Sequence, residues 1–374
     1  MRRRHSAPRA RLRVMVGMSG GVDSSVAAAL LKRGGNQVIG ITMCTWVGSE
    51  AGAGPLRHGC PGPTAAGAVR DAQRMAQRLG IPHRVIDVAS DFRTHVLDYF
   101  RDEYLAGRTP NPCVRCNQML KFGALLYRAH ESGIAFDRFA TGHYARLEQE
   151  EGGARMLLRK GLDSSKDQSY FLCGLTQEQL RRSIFPLGCR TKAKVQKIAR
   201  ELGLGVEGRP ESQDFAAGDW EAIVCASPRP GPILDRAGHL LGEHKGIHRY
   251  TIGQRRGLGL SAKRPLYVIA LDAGRNAVIA GHKEDLYASD FVVARVNWIS
   301  IPPPDGPLTL HVRIRYRHAE AAARITPLSQ GAVRVVFEEP QVAITPGQAA
   351  VFYDGDLVAG GGMIESVQPL QGSH

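Results

Sequence analysis

The 374-residue sequence predicts an α/β protein: a doubly wound parallel sheet, followed by a small mixed domain and a C-terminal β-barrel. Three observations carry this. Strand-like and helix-like segments alternate through the first half of the chain, which implies parallel strands with helices on both faces. From about Arg209 the sequence turns rich in Gly and Pro with short apolar runs. Beyond about Leu286, apolar and polar residues alternate with a period of two, as in half-buried strands.

The first strand, 14–17, enters Met15-Val-Gly-Met-Ser-Gly-Gly-Val-Asp-Ser-Ser25, and Val26-Ala-Ala-Ala-Leu-Leu31 is the apolar face of the helix that follows. Further strands are expected at 37–43, 84–88 and 136–141, and helices at 65–79, 92–105 and 119–130. In such a sheet, ligands gather at the carboxyl ends of the strands. Three loops lie there: the loop after the first strand, the segment from Met43, and Thr141-Gly142-His143. Gly142 would admit a ribose or base, while His143 reads as a hydrogen-bonded structural histidine. Gly231-Pro-Ile-Leu234 and Leu266-Tyr-Val-Ile-Ala-Leu271 supply the small domain, which carries the basic Gln254-Arg-Arg-Gly257 loop. In the barrel region Leu308, Leu310, Val312, Ile314 and Tyr316 alternate with Thr309, His311, Arg313, Arg315 and Arg317, and Asp354-Gly355 marks a hairpin. The expected divisions are a disordered basic tail 1–13, a catalytic domain 14–208, a central domain 209–280 and a barrel 281–368.

Hydrophobic residues make up 43% of the chain, enough for two or three cores. No apolar run reaches membrane-spanning length and none follows the basic N-terminus, so a cytoplasmic protein without a membrane partner is expected. Arg2, Arg3, Arg4, Arg9, Arg11 and Arg13 form the tail, and without them the net charge of +14 falls to +8. Residues 181–200 and 245–264 are basic blocks without an acid, a pattern that favours a polyanion larger than a nucleotide, such as nucleic acid. Seven cysteines in a long chain do not form a disulfide framework.

Gly17, Met18, Ser19, Gly20, Gly21, Val22, Asp23 and Ser24 have the composition of a phosphate cradle. Glycines let the backbone approach an anion, and amides at a helix start carry partial positive charge. The lysine of a Gly-Lys-Ser/Thr nucleotide loop does not follow. Ser-Gly-Gly-Val-Asp-Ser-Ser instead resembles the pyrophosphate loop of the ATP-pyrophosphatase family, which implies transfer of AMP to a carbonyl oxygen. In Gly107-Arg-Thr-Pro-Asn-Pro-Cys-Val-Arg-Cys-Asn-Gln-Met-Leu-Lys-Phe122, two prolines hold the chain extended and Asn117 is expected to open a helix. Cys116, just before that helix and flanked by Arg115 and Lys121, is expected to be a reactive thiol. Cys113 and Cys116 also have metal-ligand spacing, and at this point chemistry and a bland metal site stand level.

With Ala-Thr-Gly-His-Tyr144, Lys166-Asp-Gln-Ser-Tyr-Phe-Leu172, Tyr250-Thr-Ile-Gly-Gln-Arg-Arg-Gly-Leu-Gly259 and Thr345-Pro-Gly-Gln-Ala-Ala-Val-Phe-Tyr353, these motifs occur in an order that resembles the bacterial tRNA-specific 2-thiouridylase family. The resemblance implies ATP-dependent replacement of the C2 oxygen of a wobble uridine by sulfur, with tRNA and a sulfur donor, either a persulfide carrier protein or hydrosulfide, as partners. It implies that residues 17–24 hold the ATP phosphates with Asp23 near Mg2+, and that Met43 and Gly142 contact adenosine. Cys116 would be the nucleophile. Asn111, Pro112 and Cys113 would lie beside the target base, and Lys166, Asp167, Gln168, Arg315 and Tyr316 would contact tRNA.

Two departures stand out. Many relatives have aspartate where this chain has Cys113, and Ala216 follows Pro210-Glu-Ser-Gln-Asp214 where they carry a second cysteine. Three readings remain. Cys113 replaces the missing thiol and pairs with Cys116 as sulfur leaves. Or Cys113, Cys116 and a third cysteine, Cys60 or Cys225, ligate a 4Fe–4S cluster. Or thiolation is lost. Cys44, Cys173 and Cys189 are expected to be packing residues. The alternatives to the whole assignment are a related ligase that adenylates a small carboxylate, and a non-catalytic tRNA-binding protein.

Overall fold

The computed structural model describes residues 11–45, 65–205, 224 and 229–368. Five parallel strands form the first sheet: β1 (Arg13–Gly17), β2 (Gln37–Cys44), β3 (His83–Asp87), β4 (Arg138–Ala140) and, after the hairpin β5 (Ala145–Gln149) and β6 (Met156–Lys160), β7 (Ser183–Ile184). Their order is β3-β2-β1-β4-β7. The strand order reverses between β1 and β4, so a crevice opens at their carboxyl ends. Along β1, Val14 and Val16 enter one core and Met15 the other, all fully buried. Successive side chains alternate faces, so a sheet covered on both sides needs this unbroken apolar run. Arg13, placed in the tail by the sequence reading, is the first residue of β1, and its guanidinium donates to Asp137 at 2.6 Å. The other arginines of that tail except Arg11 lie outside the described residues.

The helix Val22–Arg33 follows β1 at once. Three consecutive alanines favour it, Asp23 sits in its first turn, and Lys32 and Arg33 complement the dipole in its last. The helix expected from residue 119 begins earlier. Asn111 caps it by accepting from the Val114 amide at 3.2 Å, with Pro112 at the first helical position, where no N–H is needed. Helical backbone then continues over 112–131, with a π-helical stretch at Cys116–Ala124. Cys116 is therefore inside the helix, not before it, and Cys113 takes the place in its first turn.

The central unit is a four-stranded sheet in the order β10-β11-β8-β9, formed by β8 (Gly231–Leu234), β9 (Leu240–His244), β10 (Tyr267–Asp272) and β11 (Ala277–Gly281). The C-terminal unit comprises β12 (Tyr287–Trp298), β13 (Leu308–Arg313), β14 (Ala321–Pro327), β15 (Val333–Val342), β16 (Ala349–Asp354) and β17 (Leu357–Gln368). These run β12-β15-β14-β13-β16-β17, and β17 pairs back to β12, closing a six-stranded antiparallel barrel. The expected hairpin is present, turning at Gly355 with φ +58°.

The β5–β6 hairpin leaves the first domain and joins the barrel through Leu357 opposite Arg159. Arg146 and Arg159 both grip Asp356, at 2.5 and 2.6 Å, and Lys160 bonds Glu320 at 2.7 Å. Sequence reading missed this hairpin because its short strands carry many polar residues. No helix among the described residues is long and apolar enough to cross a membrane.

Candidate active site

The cradle is shaped first by its own residues. The Ser19 amide donates to Ser24 Oγ at 3.2 Å, and the Ser25 hydroxyl donates to the Gly21 carbonyl at 2.8 Å. Gly20 has φ +76°, and a Cβ there would stand 2.8 Å from that of Asp71, so the turn requires glycine. Met18 is 3% exposed and its side chain lies over Gly40, leaving only its backbone for a ligand. Gly142 has a specific reason to be glycine: a Cβ would come within 2.9 Å of the Asp23–Ser24 backbone. The loop after β4 thus packs on the start of the first helix. Met43 is half-buried near the carboxyl end of β2.

Asp23 has two partners from distant sequence. The Tyr144 hydroxyl donates to it at 2.8 Å, and Lys192 Nζ lies 2.8 Å from both carboxylate oxygens. Lys192 opens the helix Lys192–Glu201, with Thr191 as N-cap. The loop sequence holds no lysine, and the fold brings one to Asp23 from 169 positions downstream. Sequence reading had placed it in a block facing nucleic acid. Its neighbours are also committed in part: Arg182 pairs with Glu178, and Arg190 donates to the Pro186 carbonyl at 2.6 Å. Arg255 and Arg256 of the second block are exposed.

The cysteine segment is held from the barrel. Thr109 donates its amide to the Pro346 carbonyl at 2.9 Å, and Gln348 Nε2 donates to the Thr109 and Pro110 carbonyls at 2.9 and 3.2 Å. Gly347, at φ +91°, presses on Thr109, where a Cβ would meet backbone at 2.9 Å. On the other side, Asn117 Nδ2 donates to the Phe171 carbonyl at 3.1 Å. Cys116 is 4% exposed and Cys113 half-buried.

The Lys166-Asp167-Gln168 segment bridges these two centres. Gln168 Oε1 accepts from the Tyr144 amide at 3.0 Å, and the same tyrosine reaches Asp23. The Asp167 carboxylate is 4% exposed and accepts from the Gly161 and Ser169 amides, with Arg313 at 3.6 Å. Lys166 is half-buried. Arg315 reaches the carbonyl of Ile252 at 3.3 Å, that of Ala343 at 2.8 Å, and the Thr345 hydroxyl. It ties the Tyr250–Gly259 motif to the Thr345 motif, and burial lowers its pKa. Tyr316 packs on the Phe171 ring at 4.4 Å. So Asp167 and Arg315 have internal work, and Lys166 and Tyr316 stand nearer the surface.

His143 is buried against Phe122 and Phe185, with Nδ1 2.7 Å from the Thr141 hydroxyl. Burial, with a smaller contribution from Lys121, lowers its pKa to about 3, so it stays neutral. Burial pushes the Cys173 thiol up to about 12, which suits a packing residue, and Cys44 is half-buried. Cys189 differs from expectation: it is exposed. Among the described residues, no three or more His, Cys, Asp or Glu side chains are grouped to hold a metal. Cys60, Ala216 and Cys225 lie outside them.

Fold and site define a class: a parallel-sheet protein with a glycine- and serine-rich strand-to-helix turn at the switch point, joined to a small mixed sheet and a closed barrel. The sequence matches the tRNA methyl transferase HUP domain family over residues 12–216, the tRNA methyl transferase PRC-barrel domain over 224–282 and the aminomethyltransferase beta-barrel domain over 288–364. It is 48% identical over 360 residues to tRNA-specific 2-thiouridylase MnmA 1 of Caldanaerobacter subterraneus subsp. tengcongensis, covering 94% of this chain and 98% of that one. It is 49% identical to MnmA of Moorella thermoacetica, covering 95% and 100%. The chain belongs to the tRNA-specific 2-thiouridylase family. Among solved structures, NMN synthetase from Francisella tularensis overlaps 58% of this chain and 76% of its own at 15% identity, but a TM-score of 0.32 carries no argument.

Proposed function

We propose that the protein is an ATP-dependent tRNA-uridine 2-sulfurtransferase acting on the anticodon wobble base. The observation that supports it best is the continuity of the site: cradle, Tyr144, Gln168, Phe171 and the cysteine helix form one connected set of contacts. The family descriptions and the relatives' names agree on tRNA and differ on the transferred group. A phosphate cradle and a cysteine pair suit thiolation, which uses ATP and sulfur.

ATP is a substrate here. Its phosphates lie along residues 17–24, and the adenosine lies by Met43 and Gly142. Asp23 would hold Mg2+ once phosphates draw Lys192 toward themselves; that ion would neutralise charge on the leaving pyrophosphate. The uridine C2 oxygen attacks the α-phosphorus and pyrophosphate leaves, which turns a poor leaving group into AMP. The base must be splayed from the anticodon loop beside Asn111, Pro112 and Cys113. Lys166, Tyr316, Arg255 and Arg256 offer RNA contacts, with Asp167, Gln168 and Arg315 setting the surface behind them.

For the sulfur step, a donor of the persulfide class loads Cys116. The terminal sulfur attacks C2 and AMP departs. Cys113 then attacks the inner sulfur, leaving 2-thiouridine and a Cys113–Cys116 disulfide that a dithiol reduces. Residues three apart on a helix have Cβ atoms about 5–6 Å apart, against about 3.5–4.5 Å in a disulfide, so the first turn must tighten locally. Cys113 and Cys116 could provide two ligands of a cluster, and the candidate third ligands, Cys60 and Cys225, lie outside the described residues.

The deciding experiment is anaerobic purification with iron and sulfide analysis, then single-turnover thiolation of unmodified tRNA. Thiolation without iron, accompanied by tRNA-dependent AMP release, is the expected result. No AMP release at normal tRNA affinity would leave a tRNA-binding protein, and AMP release independent of tRNA would point to the ligase.

A further inference from the structure

On the face of the cysteine helix turned to the barrel, Asn111, Val114, Arg115 and Gln118 form one wall of a cavity of about 140 Å³. Tyr99, Cys173 and Gly174 add to it, and Arg295, Asn297 and 361–363 of the barrel close the other side. Ligand sites for whole drug-sized molecules begin at roughly 300 Å³, so this one suits a single chemical group.

Its chemistry is cationic. Two arginines and three side-chain amides line it, and no carboxylate does. Glu103 acts electrostatically on Tyr99, and Arg108 already holds it at 2.6 Å. Arg115 lies over the Tyr99 ring at 5.3 Å, and its buried Nε has no hydrogen-bond partner. Arg295 makes no ion pair among the described residues and sits at φ +53°, where β12 slips register against β17 between Ala294 and Asn297. A bulge re-aims a side chain, and a non-glycine residue held left-handed at such a place is a recurrent mark of a binding site. Tyr99 also remains a neutral donor, since burial raises its pKa to about 12.

We propose that this cleft binds a phosphate group, with Arg295 and Arg115 as its cationic ligands and Gln118 as a further donor. The proposal rests on the reading of the protein as a tRNA enzyme for its natural source, the RNA backbone near the splayed base. Phosphate contacts of this kind fix register without reading sequence. Free inorganic phosphate is the other source of the same chemistry.

The test compares wild type with Arg295→Asn, since asparagine tolerates the left-handed backbone, and with Arg115→Gln. If the ligand is an RNA phosphate, each variant weakens tRNA binding about tenfold and lowers the slope of log affinity against log salt by ~0.7–0.9. If it is the free ion, tRNA binding and slope are unchanged, but about 10 mM inorganic phosphate raises the wild-type Tm and not that of the variants. Neither effect in folded variants overturns the proposal. Should wild type fail to bind tRNA at all, the functional reading falls, while the phosphate melting arm still decides the cleft.

Discussion

In the cradle, the turn of the backbone is set by near neighbours, with the Ser19 amide on Ser24, the Ser25 hydroxyl on Gly21 and the helix starting as β1 ends; the Asp23 side chain takes its partners, Tyr144 and Lys192, from far along the chain. The cysteine segment has no such autonomy. Its approach is fixed by Pro346, Gly347 and Gln348, more than two hundred residues away, and its far side by Phe171. Local hydrogen bonds make the shape of the cradle's turn a property of one strand–loop–helix unit. The setting of the cysteine segment is a property of the assembled domains, so damage to the barrel should reach it while sparing the cradle's turn.

The comparison breaks most sharply at the reacting groups. Cys116→Ser should reduce 2-thiouridine, measured by nucleoside mass spectrometry, to background, with tRNA affinity retained; continued thiolation would remove Cys116 from the chemistry. Lys192→Met, which takes away the distant partner of Asp23, should slow AMP formation by about 10²–10³-fold, the usual cost of losing one charge-stabilising group. Unchanged AMP formation would make the Lys192–Asp23 pair structural only. Gly347→Ala tests the long-range clamp. Its Cβ would meet Thr109 backbone from a left-handed residue, a cost of about 1–3 kcal/mol. Thiolation should fall more than ATP affinity, and an equal fall in both would show the two sites to be equally dependent on the barrel.

The smallest effect is a pH dependence within the cradle's own domain. His143 has a folded pKa of about 3 against 6.5 ordinarily, so between those values the unfolded chain binds the extra proton. Stability is full above 6.5 and is lost as pH falls, by about 1 kcal/mol between pH 7 and roughly pH 5.5 for this one group. Replacing it, as His143→Asn, should flatten the acid side of a melting-temperature profile. An unaltered profile would mean that His143 is not the neutral buried group described.

Much of the site could be read from residues because its motifs are contiguous and chemically loaded. The cradle, the cysteine pair and the alternating strands of the barrel were all legible for that reason. Lys192 was not, because a lysine in a basic run carries no local sign of the carboxylate it will meet. Nor were the roles of Asp167 and Arg315, which as isolated letters look like surface charges; in the fold Asp167 is buried and Arg315 half-buried, both among backbone partners. The start of the cysteine helix was misplaced because Pro112 was weighed as an extender of chain; with Asn111 capping, the same proline begins a helix.

The sequence by itself determined the order of the main elements, the glycine-rich turn after β1 and the family, since these depend on period, glycine placement and contiguous motifs. Tertiary structure decided which charges pair and which face solvent, that the barrel grips the cysteine helix, and that two arginines from separate domains share one cleft. Such choices depend on burial and on distances between residues far apart in the chain. Neither quantity exists until the domains have packed.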